Sequence, residues 1–121
     1  MAKAGKPPDP LKRRHLVEEA LPAPRALAVA EAFLAAGQRF DAVGFLAKAG
    51  ESERLRALRA EAVAEGDLFL VREIGALLGE EPDAATWNAV AEAAAAAGKE
   101  RYANEARRLA AARAGERTRA P

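Results

Sequence analysis

Apolar residues recur along this chain every three or four positions and never alternate over a useful length, so the pattern predicts helices and no strand. Over 24–36, Leu27, Ala30 and Leu34 fall on one face with Val29 and Phe33 beside them, the stripe of a helix with one buried side. After Gly37 the stripe resumes: Phe40, Val43 and Ala47 share a face, widened by Phe45, Leu46 and Ala49, until Gly50. Leu55, Leu58 and Ala62 carry it through 52–65. "LFLVREIGALL", residues 68–78, is the most hydrophobic stretch and is expected to be the central, most enclosed helix. A fifth core helix is predicted over 84–97. A sixth, over 99–114, is expected to turn Tyr102, Ala106, Leu109 and Ala110 inward.

The residues between these stripes are helix starts and stops. Asp9-Pro10 is a cap followed by proline at the first helical position, and it opens a short basic helix over about 10–20. That helix must end before "LPAP", because Pro22 and Pro24 lack the N–H that a helix interior uses. Gly37, Gly50, Gly66, Gly79 and Gly98 each follow an apolar run, at the position where a left-handed residue closes a helix. Ser52, Asp67 and Asp83 are the expected caps, and Pro82 with Trp87 has the spacing of a hydrophobic staple. Gly75, inside a run, predicts a close helix–helix approach where no side chain fits. The final "GERTRAP" is expected to fray.

Gly37, Gly66 and Gly98 stand 29 and 32 residues apart, and each is followed by an aromatic: Phe40, Phe69 and Tyr102. A recurring hairpin is the signature of stacked helical repeats, each of which needs its neighbour to bury an apolar face. The expected fold is all-α: three stacked antiparallel hairpins, 24–50, 52–79 and 83–114, preceded by a helix at 9–21. Together these make one domain over 9–114, with disordered tails at 1–8 and 115–121. Within the third hairpin, Trp87, Val90, Ala91, Ala103 and Ala110 have the spacing of the large and small residues of a tetratricopeptide repeat, which the chain resembles. Val29, Ala30, Phe33, Ala42, Leu46 and Ala49 match in the first hairpin, where Ala26 replaces the early aromatic. The middle hairpin keeps Leu55 and Leu58 but has Arg59 at a small-residue position, and the closing proline is absent from all three. Ala42 and Ala103 lie 61 residues apart, whereas two full repeats would span about 68.

Chemistry-bearing residues are few in these 121 residues. There is no cysteine, so thiol catalysis, disulfides and thiolate metal sites are excluded, and the composition is compatible with the cytoplasm, the expected compartment. The single imidazole, His15, and the hydroxyls of Ser52, Thr86 and Thr118 are far apart in the chain, so no nucleophile–base pair is expected. His15 with Glu18 and Glu19 is too small a set for a metal, and the neighbouring carboxylates Glu18-Glu19 and Glu80-Glu81 diverge. No phosphate loop, dinucleotide fingerprint or membrane-spanning run is present in the sequence, and no secretory leader is expected because no apolar run follows the basic residues near its start. The expectation is a non-enzymatic protein without cofactor or metal.

Charge is uneven. Residues 1–15 carry five bases against Asp9, net +4; 99–121 carry seven against three, again +4; 66–98 carry one against six, net −5. Lys12, Arg13 and Arg14 in one basic segment, and Arg107 and Arg108 in the other, are candidate anion contacts. Neither cluster contains an aromatic on which a base would stack. The expected function is an adaptor or scaffold whose concave surface holds a peptide or helix of another protein. The resemblance implies that this surface is the inner face of each hairpin's first helix: Leu27, Glu31 and Leu34, then Arg56, then Asn88 and Glu92. It lacks the family's lysine- and asparagine-rich carboxylate clamp, so an amphipathic or mixed-charge ligand is expected. The alternatives are a nucleic-acid accessory protein using both basic ends, and a structural subunit of a larger assembly.

Overall fold

A computed structural model describes residues 5–18 and 20–119, with side chains at all of these except 18 and 117–119. The carboxylates of Glu18 and Glu19 and the hydroxyl of Thr118 therefore lie outside the described residues. The described chain is all-helical: α1 Pro10–Glu18, α2 Ala23–Ala35, α3 Arg39–Lys48, α4 Ser52–Glu65, α5 Leu68–Leu78, α6 Ala84–Ala96 and α7 Glu100–Arg119. It divides into two compact units, Met1–Leu55 and Arg56–Pro121, at a boundary inside the first turn of α4.

Local signals set the helix ends. Asp9 Oδ1 accepts from the Lys12 N–H at 2.8 Å, Asp67 from Leu70 at 3.2 Å and Asp83 from Thr86 at 2.8 Å, so each aspartate satisfies a first-turn donor. Ser52 is not the expected cap. It is itself the first helical residue, because the Leu55 N–H already donates to the Glu51 carbonyl. Gly37, Gly50, Gly66, Gly79 and Gly98 all have positive φ, between 68° and 76°. After each, the next N–H reaches back five residues: Gln38 to Phe33, Glu51 to Leu46, Asp67 to Ala62, Glu80 to Gly75 and Lys99 to Ala94. All five helices thus end in the same 6→1 closure.

In the first unit α2 packs on α3. Phe33 and Phe45 stack with centroids 5.8 Å apart, surrounded by Ala26, Ala30, Ala32, Ala42, Val43 and Leu46, all buried. The buried face of α2 is therefore rotated from the expected one. Leu27 and Leu34 are only half-buried, while the Ala26–Ala30–Phe33 line faces α3, because alanines permit closer approach than leucines. Phe40, expected inward, is 51% exposed. Leu16 anchors α1 in this core, the Lys48 ammonium donates to the Val17 carbonyl at 2.9 Å, and Arg13 pairs with Asp41 at 3.0 Å.

In the second unit α6 packs on α7. Trp87, Val90, Ala91 and Ala94 face Ala103, Ala106 and Ala110, so one tryptophan supplies most of the bulk and α7 contributes only small side chains. Tyr102 is 38% exposed and Leu109 half-buried, one position out of phase with the inward face expected for α7. From α5, Leu68, Leu70, Val71 and Ile74 are buried, as expected of so hydrophobic a segment, but Phe69 is 52% exposed. α7 continues beyond the expected stop near 114, through Gly115, to Arg119. An interior glycine costs about 1 kcal/mol, and the Arg113–Glu116 pair at 3.0 Å bridges this turn.

Two glycines do more than close a helix or fill a gap. A Cβ on Gly75 would stand 2.9 Å from the Glu80 carbonyl oxygen and 3.3 Å from Pro82 Cδ. The close approach there is by the loop that follows α5, not by another helix as expected. A Cβ on Gly66 would stand 2.5 Å from the backbone nitrogen of Ala94 and 2.7 Å from its Cα, so the α4–α5 turn is seated directly on the α6 backbone. Gly79 has the same left-handed backbone with open space around it.

Gly79→Ala should then lower stability by about 1 kcal/mol through its backbone alone. Gly66→Ala, where backbone must also move, should cost about 2–3 kcal/mol. Urea midpoints of the two variants measure the difference; equal midpoints would show that the turn does not rest on α6.

Candidate protein-interaction site

α5 presents two faces. Leu68, Leu70, Val71, Ile74 and Gly75 are buried, which leaves Phe69 and Arg72, three residues apart, together on the outer one. On α7 the buried line is Ala103–Ala106–Ala110, so Arg101, Tyr102, Glu105 and Arg108 lie outside it. These outer faces meet. The rings of Phe69 and Tyr102 approach edge to face, centroids 5.4 Å apart at 82°, and help line an open hollow of about 490 Å³ with Arg72, Arg101, Asn104, Glu105 and Arg108.

The charges in this hollow are organised by one carboxylate. Arg108 grips Glu105 with two hydrogen bonds, Nε at 2.9 Å and Nη2 at 2.6 Å, while Arg72 approaches at 3.6 Å. The Arg108 hydrogen bond, reinforced by the charges of Arg108 and Arg72, holds the Glu105 carboxyl below the usual carboxylate range. Glu105 in turn raises the Arg108 guanidinium. Two guanidiniums thus share one carboxylate, and Arg101, which also lines the hollow, has no ion pair among the described residues. Phe69, at 52% exposed, forgoes about 1 kcal/mol of burial.

The residues singled out from sequence are distributed as follows. Leu27, Glu31 and Leu34 share one face of α2, each half-buried, and Glu31 is hydrogen-bonded to Arg54. That hydrogen bond raises the Arg54 guanidinium above its ordinary value. In the second unit, Asn88 and Glu92 are exposed one turn apart on α6. Arg56 donates to Glu80 at 2.8 Å, and Arg59 reaches the other oxygen of Glu80 at 3.0 Å. The basic residue at the repeat's small position is thereby engaged in an ion pair. Of the candidate anion contacts, Lys12 and Arg14 are exposed on α1, Arg13 pairs with Asp41, Arg107 donates to Asn104 and Arg108 holds Glu105. The aromatic pair is not legible as a pair in the sequence, where Tyr102 is expected inward and Phe69 falls within the stretch expected to be most enclosed. Its signal was present as phase: both stand one position away from the line of fully apolar residues on their helices.

Hydrogen bonds from Arg56 and then Arg59 hold the Glu80 carboxyl below the ordinary glutamate range. A lowered folded-state value means that the interaction stabilises the protein above the unfolded glutamate pKa and is lost as pH falls through the folded one. Glu80→Gln should therefore lower the melting temperature at neutral pH, and the gap to the wild type should close as pH drops below about 4.3. A gap that persists unchanged into acid would show that Glu80 acts through packing rather than charge.

Among the described residues no helix is long and apolar enough to cross a membrane, and no three His, Asp or Glu side chains form a metal-binding group. Comparison of the chain with protein-family models, with curated proteins and with solved structures finds no match.

Proposed function

We propose that this chain is a non-enzymatic protein-interaction adaptor, built as a series of tetratricopeptide-like helical hairpins. The pairing of α2 with α3 and of α6 with α7 supports the hairpin reading. So does the burial of Trp87, Val90, Ala91, Ala103 and Ala110, all at positions the repeat uses for packing. Ala30, Phe33, Ala42 and Leu46 are buried at the corresponding positions of the first hairpin.

The observation that carries the functional reading is the exposed Phe69–Tyr102 pair. Large aromatic side chains left half in water beside arginines are what binding surfaces of proteins are enriched in, since they supply most of the burial when a partner docks. This proposal places the principal contact on the second helices of the hairpins. Leu27, Glu31, Leu34, Arg56, Asn88 and Glu92 remain the inner-face surface that the resemblance assigns.

The reading is tested by recovering proteins from nuclease-treated lysate on the tagged chain at low and physiological salt. Two variants serve as comparisons: Phe69→Ala with Tyr102→Ala, and Leu27→Ala with Arg56→Ala and Asn88→Ala. One protein retained at both salts and lost with either variant is the expected result, and the variant that loses it identifies the surface. Recovery of nothing but salt-labile nucleic acid from an untreated lysate would overturn the adaptor reading and move the function to the basic segments around Lys12–Arg14 and Arg107–Arg108.

A further inference from the structure

The adaptor reading leaves open what kind of partner the α5–α7 hollow accepts, and the charges around it answer that. Arg72, Arg101 and Arg108 border the aromatic pair, and Glu105 is the one carboxylate among them. Glu105 is engaged by the fork of Arg108 and by Arg72, so its charge is spent within the hollow. A guanidinium carries five N–H donors. Arg108 spends two groups on Glu105, Arg72 makes one long contact, and Arg101 makes no ion pair among the described residues. The rim therefore offers several planar donors to oxygen acceptors, around an apolar floor formed by two rings set edge to face.

We infer that this hollow binds an acidic peptide segment of a partner protein, which seats a large apolar side chain against Phe69 and Tyr102 and lays carboxylates on Arg72, Arg101 and Arg108. The inference rests on the adaptor reading and narrows it to a ligand class. A carboxylate matches the fork of an arginine in two parallel hydrogen bonds, so the pairing is directional as well as attractive. Single-stranded nucleic acid is the other anion with an apolar face, and two features disfavour it. The rings are turned edge to face, which occupies one face of the pair and leaves no parallel platform for successive bases. In addition, three arginines at one place do not form a track along a strand.

The test is fluorescence anisotropy of the full chain with three labelled probes. They are a peptide of glutamates with leucines at helical spacing, the same peptide with lysine in place of glutamate, and a single strand of thymidylates. Binding of the acidic peptide alone is expected, weakened about tenfold by Arg101→Glu and at least as much by Phe69→Ala. Arg101 is exposed and outside every ion pair described, so its substitution leaves the fold intact, and circular dichroism checks this for both variants. Binding of the thymidylate strand in preference to the acidic peptide would overturn the inference, as would equal binding of the two peptides. A dimer seen by sedimentation and abolished by Phe69→Ala would overturn it too, since a second copy would then be the occupant. A partner captured through Phe69 and Tyr102 but indifferent to Arg101→Glu would sink the acidic-ligand inference and leave the adaptor reading standing. Capture of no protein at all would sink both.

Discussion

Everything in this structure depends on helices coming close enough together for alanine to count as core. Ten of the 22 buried apolar residues among those described are alanines: Ala26, Ala30, Ala32, Ala42, Ala62, Ala91, Ala94, Ala103, Ala106 and Ala110. Each buries little area, so dispersion has to be recovered from backbone and Cβ atoms in near contact. The limit of that approach is visible at Gly66, where the turn between α4 and α5 comes so near the backbone of Ala94 that even a methyl group has no room. Bulk comes from the Phe33–Phe45 stack with Leu46 and Leu55 in one unit, and from Trp87 with the Leu68, Leu70 and Ile74 side chains in the other.

That same constraint explains what is left on the surface. A helix that presents alanines to its neighbour has no room there for a ring, so Tyr102, next to the Ala103–Ala106–Ala110 line, is displaced outward. Phe69, on the opposite side of α5 from Val71 and Ile74, and Phe40, which precedes the buried stretch of α3, are also substantially exposed. Where two displaced rings fall on adjacent helices, as Phe69 and Tyr102 do, they meet and form an apolar floor. The candidate site is thus a product of how the core is packed, with arginines around it.

Ion pairs sort the charged residues into those engaged within the fold and those available to a partner. Arg56 and Arg59 share Glu80, Arg54 holds Glu31, Arg13 holds Asp41, and Arg113 bridges Glu81 and Glu116. Exposed pairs of this kind contribute little stability each. Their consequence is positional: Glu31 and Arg56, which look from the sequence like ligand contacts, are already occupied by neighbours far along the chain. Arg101, adjacent to Tyr102, is engaged in no such pair among the described residues.

The sequence by itself determined the helices and their ends. Glycine at a left-handed stop and aspartate at a first-turn cap act within five or six residues, so Gly37, Gly50, Gly66, Gly79 and Gly98 could be read as stops, and Asp9, Asp67 and Asp83 as caps, without knowing any neighbour. The exceptions are Ser52, which differs by a single position, and α7, which runs through Gly115 past its expected stop. What only the tertiary structure decided was which face of each helix is inside. An alanine-rich helix has apolar residues on several faces, so periodicity alone ranks Leu27 with Ala26, and Tyr102 with Ala103. The choice is made by how closely the next helix approaches, and that is a property of two segments together. The aromatic floor between α5 and α7 and the arginines around it belong to this second kind of information, because they come from two helices whose relative rotation no local signal encodes.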